Sequence, residues 1–206
     1  MFMARRTKAE AEQTRLRIMK AALSLFAEKG FERTTFEDVA RRILLTKGAV
    51  YWHFKSKSDL LSALVEHMSA LHVGKLKKML PLVDSLESLK AYLVARAKFV
   101  VSAPDNRKFF CMMIRLDLPS AKFASLRQRL RQLENGPFFI IEKTLRDLQV
   151  RGVVRPDVDV LAVRDVLGAM WLGLIKLEVG ACLDTDLGSA VDFGFESVFA
   201  RIRADV

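Results

Sequence analysis

The twelve residues Thr46-Lys47-Gly48-Ala49-Val50-Tyr51-Trp52-His53-Phe54-Lys55-Ser56-Lys57 govern how the rest of the chain is read. Thr46 is a capping residue type, so a short helix is expected from Lys47 to His53. Its N-terminus would present backbone N–H groups and a positive dipole, an arrangement suited to a phosphate. Lys47 in the first turn has the reach for guanine O6 and N7 or for a phosphate. Gly48 allows close approach to a groove, and Ala49 is small enough to touch a thymine methyl. Tyr51, Trp52 and His53 are a costly set to expose on a short basic helix, but their polar tips suit phosphates while the rings pack on sugars. Taken singly, Tyr51 and Phe54 would pass as core and Lys55 and Lys57 as a solvated face. Together they point to DNA.

Upstream, Thr34-Thr35-Phe36-Glu37 has capping-box spacing, so Thr34 or Thr35 opens a short helix ending near Ile43. Residues 14–29 carry Ile18, Ala22, Leu25 and Phe26 on one face and stop at Gly30. Downstream, Ser56-Lys57-Ser58-Asp59 repeats the capping pattern and opens a long helix towards Leu80. Three short helices and a long one predict a helix-turn-helix, its motif at about residues 35–54. The charge agrees. Of a net +10 and a pI near 9.9, residues 1–60 hold 13 Lys and Arg against 7 Asp and Glu, a net of +6. A basic first third favours an anionic partner, and Arg5, Arg6 and Lys8 form a basic arm able to enter a minor groove.

The other two-thirds reads as helix throughout. All five prolines lie beyond residue 80 and separate stretches of helical apolar spacing at about 85–102, 105–116, 121–134, 138–151, 158–181 and 187–203. No alternating Val/Ile/Thr run with Asn-Gly turns is present, so strands are not expected. The fold class is therefore all-α, with about nine to ten helices. A basic arm at 1–11 precedes a helix-turn-helix domain at 12–72 and a larger helical domain at 73–206. The helix after Pro156 is apolar around nearly its whole circumference, and a helix apolar on all sides is buried on all sides. In a chain of 206 residues the second burying surface is expected to be another subunit. The interface expected from these two C-terminal helices comprises Val166, Met170, Leu174, Val191, Phe195, Val198, Phe199 and Ile202.

Other classes fall away. Val166–Ile175, the longest uncharged run of the most apolar region, is ten residues, half of what a membrane helix needs. The basic N-terminus lacks the apolar stretch of a signal peptide, and two cysteines without ligand spacing suit a reduced, cytoplasmic protein. No metal site or cofactor is expected. Neither a glycine-rich phosphate loop nor a nucleophile motif occurs, so the chain is read as not an enzyme.

The segment from Ala4 to Leu71 resembles the tetracycline-repressor (TetR) family of bacterial transcription regulators. The likeness rests on ARRTKAEAEQTR, ALSLFAEKGFERTTFEDVARR and TKGAVYWHFKSKSDLLSALVE, and lies nearest the AcrR-type branch that represses multidrug efflux pumps. The resemblance implies a homodimeric repressor on a pseudo-palindromic double-stranded DNA operator, released by a small, mostly apolar effector. It also implies that Lys57 and Thr35 are phosphate anchors and that the larger domain holds an effector cavity. Aromatic and methionine-rich interiors make adaptable pockets, and the lining expected here is Arg96, Phe99, Phe109, Phe110, Met113, Asn135, Phe139, Met170 and Trp171. Phe109 and Phe110 cannot both face inward on one narrow helix face. Alternative readings are a regulator of fatty-acid or acyl-thioester metabolism, with Arg96, Lys98 and Arg115 receiving an anionic group, and a DNA binder that answers to no ligand. One departure stands out. The family usually has glycine between the two helices of the motif, where this chain has Ile43-Leu44-Leu45-Thr46. A left-handed Leu44 would carry strain of about 1–2 kcal/mol.

Overall fold

The structure, a computed structural model, describes residues 8–79, 83–131 and 136–204. Among them are ten α-helices: α1 (Lys8–Lys29), α2 (Phe36–Arg42), α3 (Lys47–His53), α4 (Lys57–Met79), α5 (Leu86–Ser102), α6 (Pro104–Arg115), α7 (Ala124–Arg131), α8 (Pro137–Val150), α9 (Val160–Val179) and α10 (Leu187–Ile202). A 3₁₀ turn, Ala121–Phe123, precedes α7. No strand ladder occurs among the described residues, and an isolated β-bridge joins Val154 to Arg203. The chain forms two compact units. One comprises residues 1–70 and 108–123, the other 71–107 and 124–206.

The first unit contains the predicted helix-turn-helix. α1 starts six residues before the expected helix start at residue 14 and ten before Ile18, the first residue of the apolar stripe. Lys8, Ala9 and Glu10 are exposed, so helix propensity rather than burial carries this turn. Its inner face buries Ile18, Ala22, Leu25 and Phe26. Gly30 ends the helix with φ +86, a conformation glycine adopts without strain. α2 is capped by Thr35, not Thr34. The Thr35 hydroxyl accepts from the Asp38 N–H, and the Asp38 carboxylate accepts from the Thr35 N–H at 2.8 Å. Residues 108–123 join this unit through Arg115, whose guanidinium donates to the Ala27 carbonyl at 2.7 Å, and through the Phe123 ring, 5.4 Å from Phe31.

In the second unit α5 packs against α8, α9 and α10, burying Leu89, Leu93, Ala97 and Val100. The indole N–H of Trp171 donates to the Leu93 carbonyl at 2.9 Å and fixes that ring in the core. α8 lies so close to α9 that a Cβ on Gly168 would fall 2.1 Å from the Phe138 ring, so a larger residue there must displace that ring or part the helices. Charged pairs tie the helix surfaces together. Lys90 meets Asp192 and Glu196 at 2.9 and 3.0 Å, and Arg164 bridges to Glu142 at 2.8 Å.

The α10 stripe corrects the expected subunit interface. Val191, Phe195, Phe199 and Ile202 are almost completely buried within the single chain. α5 and α10 pack against each other, so this stripe serves the chain's own core before any partner. Val198 is half-buried.

Candidate nucleic-acid interface

The turn between α2 and α3 is built by backbone hydrogen bonds. The Leu45 N–H donates to the Ala40 carbonyl at 2.9 Å, and the Arg17 guanidinium of α1 donates to the Ile43 carbonyl at 3.1 Å. Leu44 adopts φ +57, the left-handed conformation its position raised as a question, and 93% of its surface is exposed. At the start of α3, the Thr46 hydroxyl accepts from the Ala49 N–H at 3.1 Å. At its end, Arg15 donates to the His53 carbonyl at 3.2 Å, with its guanidinium 4.3 Å above the Phe54 ring. Val50 and Phe54 face the core. The opposite face carries Lys47, Gly48, Tyr51 and Trp52, all exposed, and Ala49 and His53, partly so.

Two of these aromatics are held in place without being buried. Tyr51 packs edge-on against Phe36, centroids 4.9 Å apart, yet remains half-exposed. Trp52 stands edge-on to His53 at 4.6 Å with 72% of its surface in solvent. The Lys47 ammonium lies 6.0 Å from the Tyr51 ring. Thr34, Thr35, Phe36, Lys47, Tyr51, Lys55, Ser56 and Lys57 line a concavity of about 410 Å³. This surface has the cations and pre-oriented polar aromatics that a phosphate backbone and a base edge require.

Some expected contacts are absent or reassigned. Thr34 lines the concavity yet is 1% exposed, its hydroxyl donating to the Gly30 carbonyl at 2.8 Å, so it holds the α1–α2 turn and offers nothing to DNA. Lys57 lines the concavity but is also held from within the motif. Its ammonium donates to the carbonyls of Phe31 and Glu32 at 2.7 and 2.9 Å, and burial pushes its pKa below the ordinary lysine value. The Thr35 hydroxyl is engaged with Asp38. Lys8 is exposed at the start of α1, while Arg5, Arg6 and Asn135 lie outside the described residues. Sequence reasoning omitted Arg15 and Arg17, which brace the motif from α1; their only signal was basic residues on the polar side of that helix.

The residues expected to line one cavity divide between the two units. Phe109, Phe110 and Met113 belong to the first, Arg96, Phe99, Phe139, Met170 and Trp171 to the second. Phe110 is buried and Phe109 only partly, in line with their opposed faces. Arg96 is buried and donates to the Tyr92 hydroxyl at 2.7 Å, while Phe139 is 40% exposed. His72 lies 3.3 Å from the Asn106 side-chain oxygen, both buried, and Asn106 donates to the Phe99 carbonyl at 2.8 Å. Met170 lines a different feature, an open apolar groove of about 660 Å³ between α9 and α10 shared with Gly173, Leu174, Leu177 and Phe193. Phe193, 77% exposed, was missing from the expected interface because it lies off the stripe that α10 turns inward. No helix is long and apolar enough to cross a membrane, and no group of three potential metal ligands occurs among the described residues.

A helical unit whose α2–turn–α3 motif presents a capped, cation-bearing second helix defines a helix-turn-helix DNA-binding protein. Residues 18–64 match the family described as bacterial regulatory proteins, tetR family. The chain is 31% identical to the HTH-type transcriptional regulator SrpR of Pseudomonas putida over 173 residues, which cover 84% of this chain and 78% of that one. It belongs to the TetR family. It is also 45% identical to the HTH-type transcriptional regulator AcrR of Shigella flexneri over 75 residues, 36% of this chain and 34% of that relative, so this match spans about a third of AcrR's length. Among solved structures it is similar to SmeT in complex with triclosan, with a TM-score of 0.73, 28% identity and coverage of 94% and 93% of the two chains. SmeT is the repressor of the Stenotrophomonas maltophilia multidrug efflux pump SmeDEF.

Proposed function

We propose that this protein is a homodimeric transcriptional repressor that reads a pseudo-palindromic operator with α3 and is released by a small, mostly apolar effector. The controlled genes encode efflux or degradation functions. The observation that carries the reading is the outward face of α3, where Lys47, Tyr51 and Trp52 are exposed beside the concavity. Their exposure serves no packing purpose within the chain. Relatives support the efflux assignment, since SmeT represses a multidrug pump and binds triclosan. The dimer is supported by the apolar α9–α10 groove together with exposed Val166 and Phe193. Val166, Met170 and Leu174, with the half-buried Val198, are the part of the expected interface not consumed by the core.

Release follows from linkage. An effector that prefers a dimer with misplaced recognition helices draws the population away from DNA, and operator DNA weakens effector binding by the same factor. Near-complete release needs a differential affinity of roughly 5 kcal/mol. The reading is tested by fluorescence anisotropy on a duplex covering the region upstream of the chain's own gene. Lys47→Ala is expected to cost about 1–3 kcal/mol there and less on random DNA. Equal losses on both duplexes would place Lys47 on phosphate alone. A second reading, an effector with an anionic group such as an acyl thioester, is favoured by the buried guanidinium of Arg96 beside the Tyr92 hydroxyl. It predicts that Arg96→Met spares operator binding and abolishes the response to such compounds.

A further inference from the structure

Leu44 is doubly unfavourable in the chain on its own. It has φ +57, a conformation that L side chains rarely adopt, and it leaves 93% of a large apolar side chain in water. Ala181, the other non-glycine residue of positive φ among those described, exposes only a methyl at the end of α9. The turn does not need the leucine side chain. The Leu45 N–H bond to Ala40, the Leu44 N–H bond to Arg41 and the Arg17 bond to the Ile43 carbonyl define the turn through backbone groups that Gly, Asn or Met at 44 would leave intact. Glycine would serve that backbone with less strain. A strained backbone position with no internal use for its side chain is a mark of a functional site.

The surroundings specify what covers it. Arg41 on one side and Lys47 on the other are exposed, and Arg17 reaches the adjoining carbonyl. An apolar side chain set among cations fits a polyanion that carries apolar spots. Duplex DNA is such a surface, with thymine methyls and deoxyribose faces among its phosphates. We propose that Leu44 is a DNA contact, laid on the apolar surface of the duplex beside the residues of α3 that face the bases. This rests on the operator-binding reading above and extends it to a residue outside the recognition helix.

The test uses a duplex selected by the wild-type protein from a random-sequence pool, with affinity and thermal melting measured for Leu44→Gly, Leu44→Asn and Leu44→Met. Asn tolerates the left-handed turn but is polar, and Met keeps the apolar character. The expected result is that Met binds within twofold of wild type, whereas Gly and Asn lose about fivefold or more while melting no lower. Replacing thymines of the selected duplex by deoxyuridine then assigns the contact. A loss at one thymine per half-site, absent in Leu44→Gly, identifies a methyl; no loss at any thymine identifies deoxyribose. Wild-type affinity in Gly and Asn overturns the proposal. So does a loss confined to Gly, which would indicate turn flexibility, or a loss in Met equal to that in Asn. If the wild type enriches no duplex at all, the operator reading fails and this proposal fails with it.

Discussion

The Lys57 ammonium sits 2.7 Å from the carbonyl oxygen of Phe31 and 4.5 Å from the centroid of the same residue's ring. One residue thus receives the cation twice, through its backbone dipole and through its π face. With the second bond to Glu32, this ties the first turn of α4 to the turn that follows α1. The arrangement braces the motif's scaffold and contributes to its stability.

Lys57→Ala is therefore expected to lower the unfolding free energy by about 1–2 kcal/mol, the value of charge-assisted bonds at a partly solvated site. Urea melts measure this. The salt dependence of DNA binding should change by well under one unit of slope, whereas a lost phosphate contact removes nearly a full unit.

Leu44→Gly is expected to raise the unfolding free energy by about 1 kcal/mol. Relief of about 1–2 kcal/mol of left-handed strain exceeds the extra chain entropy of glycine, and almost no burial is lost from a side chain 93% exposed. A melting temperature below wild type would show that the leucine supports the turn after all.

The sequence was legible wherever local chemistry acts alone. Thr46, Gly30 and Ser56 mark helix ends because capping and left-handed backbone are decided by one or two residues. Leu44 was legible because a glycine position was filled by something else. Choices that depend on competition between surfaces were hidden. The α10 stripe could cover either a partner or α5, and only packing shows that α5 takes Val191, Phe195, Phe199 and Ile202 and leaves Phe193 outside. Thr34 and Thr35 offer the same hydroxyl, and the buried one is bonded to Gly30 while its neighbour caps α2. Nothing in composition signals that residues 108–123 join the first unit, since Arg115 is recognisable as a strut only once the Ala27 carbonyl lies beside it.

Acid should loosen the motif through Asp38. Its carboxylate takes a hydrogen bond from Lys29, at 2.7 Å, and from the Thr35 hydroxyl and N–H, which hold its pKa below the usual carboxylate range. A pKa lowered on folding contributes stability that is present above the unfolded value, about 4, and is lost as pH falls through the folded one. Urea midpoints between pH 5 and pH 2 should fall more steeply for wild type than for Asp38→Asn. Parallel curves would remove the carboxylate from the account.

Gly168→Ala should destabilise the second unit by about 1–3 kcal/mol, because the new methyl meets the Phe138 ring and the helices must separate or the ring must leave its rotamer. Adding Phe138→Leu should recover part of the loss, since the two sites share one contact. A recovery of zero in the double mutant would mean the backbone, not the ring, sets the spacing.

The central claim, that the outward face of α3 meets DNA, can be read directly from its own tryptophan. The chain has two, and Trp171 is buried with its N–H bonded to Leu93, so Trp171→Phe leaves Trp52 as the sole reporter. Acrylamide quenching of Trp52 is measured while the upstream duplex is titrated in. The account predicts strong quenching of the free protein, as 72% exposure requires, and its loss on DNA binding, saturating at two chains per duplex. Quenching that stays unchanged while the duplex demonstrably binds would contradict it.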